Sequence, residues 1–102
     1  RQQGMKYGLR ILPSVTKEAR RIHVYREKNQ CKGAGGRFME ALGRFYDDIL
    51  ANPYGHTVRK APFRHAMLHW LKYRVVYKVE GPVVSVVQVR HTSRKPSKRY
   101  GP

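Results

Sequence analysis

From Met5 to Leu12, Tyr7, Leu9 and Ile11 alternate with Gly8, Arg10 and Leu12, a period of two that predicts a strand with one buried face. Pro13-Ser14 ends that strand, with Ser14 placed as an N-cap. Val15, Ala19, Ile22 and Tyr25 then recur at helical spacing, with Lys17, Arg20, Arg21 and Lys28 on other faces, which predicts a helix over about residues 15–28. Glu18 is placed in its first turn and Arg26 and Lys28 near its end, the order that the helix dipole favours. A polar, glycine-rich break runs from Asn29 to Gly36. Phe38, Leu42, Phe45 and Ile49, flanked by Met39, Tyr46 and Leu50, then give a broad apolar stripe over about residues 37–51, stopped by Asn52-Pro53.

The remainder reads as sheet. Ala61 to Leu71 is a mixed strand, Tyr73 to Val79 a clearer one, and Val83 to Arg90 the clearest, with Glu80-Gly81-Pro82 as the turn between the last two. Val75, Val76, Val79, Val83, Val84, Val86, Val87 and Val89 favour strand because a β-branched side chain is stiff and packs well on a pleated surface. The element order is therefore β-α-α-β-β-β. Two helices joined by a short loop form a hairpin whose stripe must be covered. The economical packing lays it on one face of an antiparallel sheet, an α+β fold in which Phe38, Leu42, Phe45 and Ile49 meet the valines of the last two strands.

Length and charge narrow the picture. The chain has 102 residues, enough for one modest core. Arg1-Gln2-Gln3-Gly4 ahead of Met5 reads as a cloning remnant, residues 5–96 as the single domain, and residues 97–102 as a basic tail. With 22 Lys+Arg against 6 Asp+Glu the formal charge is +16, which calls for an anionic partner: nucleic acid, a ribosome, an acidic protein or an anionic membrane surface. No apolar run approaches the roughly 20 residues that span a bilayer, and Lys6 and Arg10 break up the only early apolar segment, so neither a membrane anchor nor a signal peptide is expected. The single Cys31 has no internal disulfide partner and fits a reducing cytoplasm.

The chemistry-bearing residues gather toward the C-terminus. Arg74 lies on one strand of the last hairpin, and His91, Arg94, Lys95, Lys98, Arg99 and Tyr100 follow the other. Arginines present planar sets of donors to phosphate, histidine titrates near neutrality, and tyrosine stacks on bases, so this set can hold RNA. The alternative is a merely solvated basic tail. His65 and His69 are four apart but fall on a strand with no nearby cysteine or carboxylate, so no metal and no cofactor is expected. Lys32-Gly33-Ala34-Gly35-Gly36 lacks the spacing and closing Lys-Ser/Thr of a phosphate loop and reads as a connector. Glu18, Glu27, Glu40, Asp47 and Asp48 all sit on the helices, away from the C-terminal cluster, which excludes a Ser-His-Asp set there.

Three signatures in this order resemble the RelE/ParE superfamily of bacterial toxins: the strand Met5–Pro13 entering a basic helix; Arg37-Phe38 through Leu42 to Ile49-Leu50-Ala51-Asn52-Pro53; and Tyr73-Arg74-Val75-Val76-Tyr77 followed by His91-Thr92-Ser93-Arg94-Lys95-Pro96. The last is similar to ParE-like plasmid-stabilisation proteins. The resemblance implies the toxin of a type II toxin–antitoxin pair, neutralised by a cognate antitoxin, and leaves two targets open. RelE-like members cut mRNA on the ribosome; ParE-like members poison DNA gyrase. It puts Arg74, Arg94 and Tyr100 where RelE-like enzymes keep two arginines and a tyrosine, while the paired lysines of that pattern fall on His65 and Met67. In an RNA-cutting reading Arg74 and Arg94 stabilise phosphate, His65 or His91 is the base, and Lys95, Lys98 and Arg99 hold the backbone. A small basic RNA-binding protein is the reading outside the toxin class.

Overall fold

The computed structural model describes residues 6–68, 71–93 and 98–101. Its elements are β1 (Gly8–Ile11), α1 (Pro13–Asn29), α2 (Ala34–Ala51), β2 (Thr57–Lys60), β3 (Phe63–Leu68), β4 (Tyr73–Glu80) and β5 (Val83–His91). The strands form one sheet in the order β1-β5-β4-β3-β2, and the α1–α2 hairpin packs on one face of it. The α+β architecture expected from the periodicities is the observed one, with two differences. A short strand, β2, precedes the three C-terminal strands and pairs antiparallel with β3; its four residues are all exposed, so no hydrophobic period marks it. The sheet is also mixed rather than antiparallel, because β1 runs parallel to β5. Tight turns force β3, β4 and β5 to alternate in direction, whereas β1 reaches β5 only through the whole chain and is free to align. As an edge strand β1 is half-covered: Leu9 stays 37% exposed while Tyr7, Ile11 and Leu12 pack on the core.

Helix boundaries follow local chemistry that the apolar pattern does not carry. Leu12, extended at φ −63 and ψ 146, is the N-cap of α1 and Pro13 stands in the first turn, where a missing N–H costs nothing. Ser14 is therefore inside the helix and is not its cap, and Glu18 lies beyond the first turn. Helix α2 starts at Ala34, within the glycine-rich stretch, because the Glu27 carboxylate on α1 accepts the N–H groups of Gly33 (2.8 Å) and Gly35 (3.0 Å). Those two bonds hold the Glu27 carboxyl below its ordinary range. A Cβ on Gly35 would lie 2.4 Å from the His23 carbonyl oxygen, so only glycine permits the helices to approach there.

The core lies between hairpin and sheet. Phe38 and Ile49 are fully buried and Leu42 nearly so, in one cluster with Val75, Tyr77, Val84, Val86 and Val89; Phe45 is partly buried at its margin. Each such side chain contributes roughly 1.5–3 kcal/mol on full burial. The end of α2 is fixed to the sheet by the Tyr77 hydroxyl, which donates to the Pro53 carbonyl at 2.6 Å.

Candidate functional site

The face of the sheet away from the helices is set by one irregularity. From Glu80↔Val83 to Tyr77↔Val86 the β4–β5 ladder is regular, but the next pair is Val76↔Gln88, so β5 carries a bulge at Val87. A one-residue slip exchanges the two faces of a strand. Beyond the bulge Val89 therefore points into the core, Arg90 stands opposite Arg74 on the helix-free face, and His91 stands opposite Tyr73 on the helix face. In an unbulged hairpin Val89 would oppose Arg74, and His91 would share Arg74's face. A hairpin of regular register would thus set His91 beside Arg74, and the bulge moves it to the other face. The His91 ring instead packs edge-on against Tyr73 (centroids 5.2 Å apart), and its Nδ1 accepts the Ser93 N–H at 3.1 Å.

On the helix-free face Met67, Arg74 and Arg90 form one row across β3, β4 and β5, and His65, Val76 and Gln88 the next. Arg74 Nη1 lies 3.3 Å from His65 Nδ1, and His65 Nε2 lies 2.8 Å from the Tyr100 carbonyl oxygen. The C-terminal residues thus fold back over the sheet. The Tyr100 ring meets Phe63 edge-on at 4.9 Å, Lys60 Nζ donates to the Lys98 carbonyl, and Gly101 lies against β2. Gly101 has φ +98, and a Cβ there would lie only 2.8 Å from the Lys60 Cβ, so position 101 accepts no larger residue without displacing this segment. His65 beneath this segment is buried, and so is Arg90 on the same face. Burial draws His65 below its usual value, and the charges of Arg74, Arg90 and Arg59 add to this against the opposing bond to Tyr100. Burial likewise lowers Arg74, helped by the Arg90 and Arg59 charges, and burial lowers Arg90. Guanidinium remains charged at any working pH, so this face concentrates fixed positive charge on donors suited to a phosphate.

Of the residues expected to form the site, His65 and Arg74 touch and Tyr100 reaches them through its backbone carbonyl. Lys98 and Arg99 ride on the covering segment, with the Arg99 guanidinium 5.5 Å from the Tyr100 ring centroid. Arg94 and Lys95 lie outside the described residues, as does His69. Among the described residues no three His, Cys, Asp or Glu side chains gather as metal ligands would. Arg90 and Arg59 are the members that sequence reasoning missed. Arg90 is the one Lys, Arg, Asp or Glu in the run Val83–His91, a signal available in the sequence, but its face depends on the bulge.

A small α+β domain with a helical hairpin packed on one face of a five-stranded mixed sheet is the architecture of RelE/ParE-type toxins. The fold is similar to the isolated E. coli RelE toxin (25% identity, TM-score 0.66, covering 92% of this chain and 90% of that one). It is similar also to a chain of the chromosomal ParDE system of P. aeruginosa (10% identity, TM-score 0.66, 88% and 100%). A third likeness is to the archaeal RelE–RelB complex of Pyrococcus horikoshii OT3 (19% identity, TM-score 0.57, 89% and 100%). No curated protein matches by sequence. The family model for the ParE toxin of type II toxin–antitoxin systems matches residues 9–96, and the chain belongs to that family. Its members are toxins paired with antitoxins. No helix among the described residues is long and apolar enough to cross a membrane.

Proposed function

We propose that this toxin arrests growth as an endoribonuclease acting on ribosome-bound mRNA, with the phosphodiester held on the helix-free face by Arg74 and the charge of the buried Arg90 beside it. The observation that carries this reading is the convergence of Arg74, Arg90 and His65, with Arg59 close enough to act on both Arg74 and His65. RNA carries its own nucleophile. The 2′-oxygen attacks the adjacent phosphorus, the P–O5′ bond breaks, the 2′-proton leaves to water and the departing O5′ takes one up, giving a 2′,3′-cyclic phosphate. Charge on the non-bridging oxygens peaks in the transition state, where preorganised guanidinium donors act most strongly. Lys98, Arg99 and, from the family resemblance, Arg94 and Lys95 supply further cations along the backbone. A charge of +16 suits a message lying in ribosomal RNA better than a protein surface needs. Likeness to RelE at 25% identity supports the same reading.

The ParE family match favours a second reading, non-enzymatic inhibition of DNA gyrase. One preparation tested in both reactions separates them. Under the first reading wild-type protein cuts messages on translating ribosomes and leaves supercoiling intact, and Arg74→Ala slows cutting roughly 10²–10³-fold, the usual worth of one transition-state donor. Inhibited supercoiling with no new message ends would replace it with the second.

A further inference from the structure

The two hydrogen bonds of His65 admit one protonation state. A guanidinium only donates, so His65 Nδ1 at 3.3 Å from Arg74 Nη1 must be the acceptor. A carbonyl only accepts, so Nε2 at 2.8 Å from the Tyr100 oxygen must carry the proton. The ring is the neutral Nε2–H tautomer with both nitrogens engaged, and neither offers a lone pair to a 2′-hydroxyl. We infer that His65 is a positioning residue: its Nδ1 aims the Arg74 guanidinium and its Nε2 ties down the C-terminal segment 98–101. The inference deepens the endoribonuclease reading and rests on it for the role of Arg74.

The surroundings support that division of labour. Arg59 comes from β2, Arg74 from β4 and Arg90 from β5, while the covering segment brings Arg99, Tyr100 and the Tyr100 carbonyl. A proton added at Nδ1 would turn the acceptor into a donor facing a donor and set a further cation among three arginines. Acid therefore releases Arg74 from the ring. Asparagine and glutamine separate the two bonds, since Asn places an amide oxygen near the position of Nδ1 and Gln an amide nitrogen near that of Nε2.

The test compares wild type with His65→Ala, His65→Asn and His65→Gln by three measurements. The first is the ¹⁵N spectrum of the wild-type imidazole across pH, the second trypsin cleavage after Lys98 and Arg99, and the third single-turnover cutting of ribosome-bound message. The expected spectrum is that of the Nε2–H tautomer at pH 7. His65→Ala should lose cutting by about ten- to a hundredfold, the worth of one hydrogen bond to a charged group. His65→Asn should recover most of that loss and flatten the acid limb of the pH profile. His65→Gln should restore trypsin resistance without restoring cutting. An Nδ1–H tautomer, equal inactivity of all three variants as for a general base, or trypsin sensitivity alike in Gln and Ala would each overturn the inference. Should the wild type cut no message, the proposed function fails, while the tautomer and the trypsin pattern still decide the tether.

Discussion

Removing one oxygen tests how the helical hairpin is locked to the sheet. Tyr77 is fully buried, and its hydroxyl donates at 2.6 Å to the carbonyl of Pro53, which follows the C-cap residue Asn52 of α2. Tyr77→Phe keeps the ring and leaves that carbonyl without its donor, a change that costs about 1–3 kcal/mol. Ionisation reports the burial separately: burial pushes the phenol from 10.0 up to about 12, a penalty on the phenolate and not a measure of the neutral hydrogen bond. A domain of this size holds only about 5–15 kcal/mol, so the melting temperature should fall by roughly 5–15 °C. Urea unfolding should show a lower midpoint with an unchanged slope. The sign in alkali follows from the raised value: the phenol's contribution is complete below pH 10 and lost as pH climbs through about 12. Tyr77→Phe should remove its share of that alkaline loss and leave the share of Tyr46, which burial also pushes up to about 12. An unchanged urea midpoint would refute the locking role, and an alkaline loss as steep as in wild type would refute the burial of the phenol.

Three further outcomes follow from the same structure. Leu42, 3% exposed in the core cluster, cannot accept a charge there, and Leu42→Asp should abolish the cooperative transition in circular dichroism, since burying an unpaired carboxylate costs several kcal/mol on top of the ~1.5–3 kcal/mol of lost apolar burial. In acid, His65 and His56 are both held below 6.5, first by burial, so the unfolded chain takes up protons before the fold does; stability should be complete above pH 6.5 and decline below it, read as a falling urea midpoint that His65→Asn makes shallower. Binding of an acidic antitoxin segment should slow as salt rises, because a +16 surface steers the encounter; an association rate indifferent to salt in stopped flow would exclude steering.

Local periodicity by itself determined most of this architecture. The 3.6-residue stripe through Phe38, Leu42 and Ile49 and the valine-rich strands specify which surfaces must meet, because burial of apolar area is non-directional and needs only the right residues on one face. The Asn52-Pro53 stop and the Gly81-Pro82 turn are chemical signals confined to a few residues and were equally legible. The family motifs belong to the same local level and lead to the toxin class. Tertiary structure alone decided the rest. β2 has no apolar pattern and exists through pairing with β3, and the early start of α2 depends on a carboxylate from the neighbouring helix. The site turned on a single extra residue: the bulge at Val87 moves Arg90 to the side of Arg74 and His91 to the other face. Alternating valines on both sides of Ser85 and Gln88 suit either register almost equally, so hydrophobic pattern could not place it. Pairing across the whole sheet, with the core closed behind Val86 and Val89, selects the register that puts the arginines together.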